Sequence, residues 1–175
     1  AYLYDDVKMN KEDINLTCDS ITFFSKNNKL ESTGSPIIQD TEYRLTANKL
    51  IYFTDLDSGI AVGNVELLQN NQSIKADKIE YRKKSNAVSY LATGNVKIID
   101  SVRTATCGLA SYDASNEKTI LNLKPKIINE DRVINGDQII LNYDNDVLKR
   151  IFIPKNANIS SMSEGYGQAN HDSSK

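Results

Sequence analysis

The sequence predicts an all-β chain, and three observations carry that prediction. A short pattern is restated five times at a spacing close to 29 residues. Apolar residues alternate within each restatement, the period of a half-buried strand. Turn-forming clusters separate the alternating stretches, and no window holds helical periodicity over three turns.

The restated pattern is a small residue, an Asp or Asn, an Ile or Leu and an aromatic, and repeats of this kind are the first thing to seek in a chain. With the small residue as anchor, the copies fall at Cys18, Ala47, Ala76, Cys107 and Gly136, spaced by 29, 29, 31 and 29 residues. Two residues before the anchor stands Leu16, Leu45, Ile74, Ala105 or Ile134. Three after it stands Ile21, Leu50, Ile79, Ala110 or Ile139, and five after it Phe23, Tyr52, Tyr81, Tyr112 or Leu141. A second register lies eleven residues upstream, at Val7, Pro36, Val65, Val96 and Pro125. It continues two residues later with Met9, Ile38, Leu67, Ile98 and Ile127, and Gly34, Gly63 and Gly94 precede its middle three copies.

Each repeat therefore reads as two strands, such as "KADKIEYR" and "GNVKII", rich in residues that suit a pleated surface. The connections "SKNN", "DLDSG", "RKKSN", "DASNE" and "NYDND" are turn chemistry. About ten to twelve strands, joined as hairpins or a meander, are expected. Ile74 and Ala76 share one parity and Ile79 and Tyr81 the other, so all four face one interior only if the strand slips by one residue at the anchor. A bulge at a small residue followed by Asp, Asn or Gly does that. Stacked bends fold one antiparallel sheet along a crease, with an apolar interior.

Length and composition bound the rest. At 175 residues the chain suits one domain, placed at 1–160, followed by a polar tail at 161–175. The spacing puts a further copy at Pro154 and Gly165, so the tail reads as the start of another repeat and the natural chain is expected to continue past Lys175. A net charge of -2 with scattered Lys and Arg excludes a nucleic-acid partner. No apolar stretch approaches the roughly 18 residues of a membrane helix. "AYLYDDVKMN" lacks the basic start and apolar run of a signal peptide.

No catalytic constellation stands out. The one His, His171, lies in the polar tail with no Cys or second His near it. Asp19, Asp77 and Asp137 recur too sparsely for a calcium-binding repeat and are expected to accept local backbone donors at the bend. No metal or cofactor is expected. Cys18 and Cys107 occupy equivalent anchors three repeats apart, roughly 29 Å at about 4.8 Å per strand, too far for a disulfide. Both are expected as free, buried thiols. By itself the inward stripe reads as a closed core rather than as the lining of a cleft.

The stretches "IKADKIEYRKKSNAVSYLATGNVKI" and "VINGDQIILNYDNDVLKRIF" resemble the LptA/OstA family of lipopolysaccharide transport proteins, whose module also occurs in LptC and the N-terminal part of LptD. The resemblance covers residues 7 to about 160. It rests on the Ala-Asp-Lys-Ile and Gly-Asp-Gln-Ile cores and the Gly-Asn-Val turns. It implies an OstA-like β-jellyroll, a creased, taco-like antiparallel sheet. It implies a non-enzymatic module of the Gram-negative periplasm that holds acyl chains of lipopolysaccharide, through its lipid A, and passes them toward the outer membrane. Partners by edge-strand addition would be LptC-like and LptD-like jellyrolls, or further copies in a head-to-tail homo-oligomer.

The lipid-facing candidates under this resemblance come from both registers. Ile21, Leu50, Ile79 and Ile139 follow the anchors, with Phe23, Tyr52, Tyr81 and Leu141 two residues further on. Ile74 precedes an anchor. Ile38, Val65, Leu67, Val96, Ile98 and Ile127 come from the upstream register. Lys75, Lys78, Arg82, Lys83 and Lys84 are weaker candidates for phosphates at a rim. Two other classes compete: an edge-to-edge assembly scaffold without ligand, and a parallel β-helix acting on carbohydrate.

Overall fold

The structure, a computed structural model, describes residues 1–11, 14–41, 43–69, 71–84, 87–145 and 147–161. His171 and the tail from residue 162 lie outside the described residues. The described residues form sixteen strands of one antiparallel sheet and no α-helix. In chain order they are β1 (Tyr2–Lys11), β2 (Ile14–Phe24), β3 (Lys29–Thr33), β4 (Ile37–Gln39), β5 (Tyr43–Thr46), β6 (Lys49–Phe53), β7 (Ser58–Gln69) and β8 (Gln72–Lys84). The second half holds β9 (Ala87–Ile99), β10 (Arg103–Asp113), β11 (Lys118–Asn122), β12 (Lys126–Asn129), β13 (Arg132–Asn135), β14 (Gln138–Asp144), β15 (Val147–Phe152) and β16 (Asn158–Ser161). Among these residues no helix is long and apolar enough to cross a membrane.

The strand count exceeds the expected ten to twelve because five of the eleven passes of the chain break where the sheet creases. The breaks lie between β3 and β4, β5 and β6, β11 and β12, β13 and β14, and β15 and β16. All three prolines of the chain, Pro36, Pro125 and Pro154, fall in such breaks. Proline has no N–H for the ladder, so it belongs where the ladder is already interrupted.

The crease divides the sheet into two leaves. Leaf I contains β3, β6, β11, β14 and β15, and leaf II contains β4, β5, β12, β13 and β16. The long strands β1, β2, β7, β8, β9 and β10 run through both. Their register shifts at one level: between Val62 and Val65 of β7, between Lys75 and Lys78 of β8, and between Cys107 and Leu109 of β10.

The parity switch occurs at the anchors, as the sequence implies. Ala76 and Ile79 are both buried, three residues apart. The extra residue is elsewhere. Gly63 and Asn64 together face the single Asp77, and Gly94 and Asn95 face the same residue from the other side. Both members of each pair are left-handed, with φ of 78° and 47° at Gly63 and Asn64, and 74° and 48° at Gly94 and Asn95. The bulge expected at the small-residue anchor thus sits in the neighbouring Gly-Asn pass. Glycine supplies the first left-handed position at little cost, and Asn tolerates the second.

Glycine is also required for space. A Cβ on Gly94 would lie 2.2 Å from Asp77 Oδ2, and one on Gly63 would lie 2.6 Å from Asn48 Nδ2. Asn95 Nδ2 donates to Asp77 Oδ2 at 2.9 Å, and Asn156 Nδ2 donates to Asp137 Oδ2 at 2.9 Å. The donors to these two crease carboxylates are thus side-chain amides of the neighbouring pass, not the backbone N–H groups expected from the sequence. At β10 and β11 the roles exchange: Gly108 replaces the acid, and Leu123 stands against it.

Every strand pairing among the described residues is antiparallel. That removes the parallel β-helix from the competing readings. Cys18 and Cys107 are free and buried, as expected.

Candidate functional site

The inner faces of the two leaves enclose the apolar interior. On leaf II, cross-strand pairing lines up Met9, Leu16, Ile38, Leu45 and Leu67 in one row. The row continues through Ile74, Ile98, Ala105, Ile127 and Ile134 to Ile159. On leaf I the row nearest the crease runs from Ile21 through Ser32, Leu50, Ala61 and Ile79. It ends with Ala92, Ala110, Leu121 and Ile139. Large and small residues alternate along it from Ile21 to Ala92, which lets side chains of the facing leaf interdigitate.

These rows hold most of the sequence candidates. Ile21, Leu50, Val65, Leu67, Ile79, Val96, Ile98, Ile127, Ile139 and Leu141 are buried. Ile38, Ile74, Tyr52 and Tyr81 are half-buried, and Phe23 is exposed at 37%. Phe23 has inward parity, but it lies beside the edge strand β1, where its backbone partner is the small terminal residue Ala1.

Two features of the interior bear on what it can do. First, it is open at its ends. Inward-facing Leu3, Met9 and Ile14 are 52%, 39% and 40% exposed at the β1 end, and Ile159 is 66% exposed on β16. Second, it is closed along the mouth opposite the crease. A cavity of about 40 Å³ lies between the leaves, lined by Leu67, Ile74 and Ile98 of leaf II and by Ile79, Ala92 and Ala110 of leaf I, among others. That is room for about one water, far below the ~300 Å³ at which ligand pockets begin.

The closure is aromatic. The outer row of leaf I brings Tyr52, Gly59, Tyr81, Tyr90 and Tyr112 side by side. Ring centroids are 5.7 Å apart for Tyr81 and Tyr90, and 5.9 Å apart for Tyr90 and Tyr112. Tyr43 of leaf II lies within electrostatic reach of Tyr52, Tyr81 and Tyr90. Tyr143 and Thr119 of leaf I and Gln72 of leaf II line one cavity together. Tyr52 Oη donates to Asp57 Oδ1 at 2.8 Å.

Burial raises the Tyr43 and Tyr52 hydroxyls to about 12, helped by Asp40 at the first and Asp57 at the second. Burial also pushes Tyr90 and Tyr143 upward. At the leaf II margin Arg103 pairs with Asp100, 2.7 Å from Nη2 to Oδ2. Burial pulls the Asp100 carboxyl up, but hydrogen bonds from Val102 and Arg103 outweigh it, so Asp100 stays below its ordinary value.

The sequence candidates include only Tyr52 and Tyr81 from this seam. Tyr112 has the same offset from its anchor, and Tyr90 mirrors Tyr81 across "RKKSN", so both carried a readable signal. Tyr43 and Tyr143 carried none, because their role depends on the two leaves meeting. The basic candidates fare differently. Lys75 pairs with Glu66, and Lys78 and Arg82 pair with Glu80. These three point away from the interior and are not gathered at its mouth.

Among the described residues, no three His, Cys, Asp or Glu side chains gather into a group able to hold a metal ion. Cys107 is held in its thiol form, its pKa raised by burial to about 11.

A creased antiparallel sheet with an end-to-end apolar interior defines a β-jellyroll module. The pattern of OstA-like proteins matches residues 1–137, and the chain belongs to that family. No curated protein matches the chain. Among solved structures it is similar to LptH of Pseudomonas aeruginosa, described as the LptA-homologous periplasmic component of the lipopolysaccharide transport device. The two share 14% identity over 84% of this chain and 93% of that chain, with a TM-score of 0.34.

Proposed function

We propose that this chain is a non-enzymatic periplasmic module that holds acyl chains of lipopolysaccharide between its leaves and hands them toward the outer membrane. Membership of the OstA-like family supports the transport reading. The observation that carries the lipid reading is the aliphatic row of leaf II, continuous from Met9 to Ile159 and exposed at both ends. Burial of each CH2 of a chain along it contributes roughly 0.8 kcal/mol, so a lipid with several chains needs no polar motif to bind. The exposed edges β1, β15 and β16 offer unpaired backbone groups to LptC-like or LptD-like jellyrolls, or to further copies of the chain.

The small cavity favours a second reading, an assembly scaffold that holds no ligand. Photocrosslinking to purified lipopolysaccharide separates the two, with the probe placed in turn at Ile79 and Glu80. Ile79 is 4% exposed and faces the interior, whereas Glu80 faces outward and pairs with Lys78. Adducts at 79 and not at 80 are expected. Absence of adducts at both positions in folded protein would leave the scaffold.

A further inference from the structure

The core between the leaves is filled, with Leu121 and Ile139 fully buried beside a cavity of about 40 Å³, so an acyl chain enters only if the leaves move apart. The leaves are joined by backbone along the crease, where each long pass bends. Separation about that line leaves the strand ladders intact and widens the side opposite the crease. On that side Gln72 of leaf II and Tyr143 of leaf I border the same space from opposite leaves. Gln72 and Tyr143 line both small cavities, so they stand directly over the space a chain would fill.

We infer that Gln72 and Tyr143 form a latch whose closed state is the empty protein, and that the latch parts whenever an apolar chain occupies the interior. This rests on the acyl-chain reading above. The ligand class follows from the chemistry on either side of the latch. Aliphatic rows lie within, while tyrosine hydroxyls, Gln72 and the Asp100–Arg103 pair form the margin. Such a boundary suits an amphiphile with its chains inside and its polar part at the mouth.

A closed state that must open taxes apparent affinity by the fraction of molecules already open. Loosening the latch therefore tightens binding, the opposite of what loss of an ordinary core side chain does.

The test uses the whole chain and pyrene-labelled hexadecanoic acid. In a Cys18→Ala, Cys107→Ala background, Gln72→Cys and Tyr143→Cys are introduced and bridged with a short bismaleimide. Alanine already fills the equivalent anchors at Ala47 and Ala76, so the background is expected to fold. The bridged protein is expected to bind the probe at least about tenfold more weakly than the same unbridged variant. Tyr143→Ala alone is expected to bind it more tightly than the parent, even as its resistance to urea falls. Equal binding by bridged and unbridged protein, or weaker binding by Tyr143→Ala, would overturn the latch while leaving the acyl-chain reading intact. No binding by the parent or the unbridged variant would remove that reading, and the latch with it.

Discussion

Ser32 lies on β3 between Ile21 and Leu50, only 1% exposed, and its hydroxyl has no hydrogen-bond partner among the described residues. It also separates two apolar clusters, one around Val7, Cys18 and Ile21 and one containing Leu50 and Ile79. A buried hydroxyl left unpaired costs about 1–3 kcal/mol. Ser32→Ala removes the hydroxyl and only one heavy atom, so it is expected to stabilise the protein by about 1 kcal/mol in urea denaturation. A loss of stability would mean that the hydroxyl has a partner, such as an ordered water. The crease gives the opposite sign. Gly94→Ala places a methyl group in the space of the Asp77 carboxylate at a left-handed φ of 74°. The expected cost is about 2–4 kcal/mol, from backbone strain and overpacking together. Asp77→Gly in the same chain is expected to recover about 1 kcal/mol or more of it, because the two residues share one site. The natural exchange of acid and glycine for Gly108 and Leu123 is the precedent within this chain. Additive effects in the double-mutant cycle would count against steric coupling.

At the scale of elements, the tyrosine seam has a pH signature. Tyr43 and Tyr52 are raised from 10.0 to about 12, mainly by burial. The unfolded chain loses these protons first as pH rises, so their contribution to stability is fully present below about pH 10 and lost as pH climbs toward 12. Tyrosinate absorbance is expected to show a late phase near pH 12, accompanied by easier unfolding in urea. A single phase at the ordinary tyrosine value would show that the seam is already open in solution. The strands themselves were legible in the sequence because period-2 alternation and turn chemistry act locally. The anchors at Ala76 and Cys107 and the glycines at 63 and 94 marked the crease for the same reason. The placement of the bulge was not legible. A bulge is a mismatch between two passes, and "KADK" and "TGNV" look alike as sites for it until they are paired. The seam was half legible: Tyr52 and Tyr81 repeat, whereas Tyr43 and Tyr143 matter only through the facing leaf.

On the scale of the whole molecule, the meander makes each pass depend on its neighbours. The strongest couplings are among β7, β8, β9 and β10, which run through both leaves without a break. Passes at the ends have a neighbour on one side only. Hydrogen exchange is therefore expected to be slowest in β8 and β9 and fastest in β1, β15 and β16, with intermediate protection falling off pass by pass. Uniform protection throughout would indicate a single cooperative unit. The fast-exchanging ends are the same segments that expose Leu3, Met9 and Ile159, so a partner added at either edge would cover apolar surface and quench fraying in one step.

The crease level repeats along the chain without drift: Ala76 and Val65 face each other across it, as do Cys107 and Val96. Because each pass is related to the next by the same local geometry, the length of the interior is a count of passes. Two strands add about 10 Å. A chain that gained or lost one repeat in the middle would keep its crease, its phase and its alternating rows, and would differ only in span. Evolution can thus treat the length of the interior as a quantity adjusted in whole steps, by duplication, without redesigning its lining.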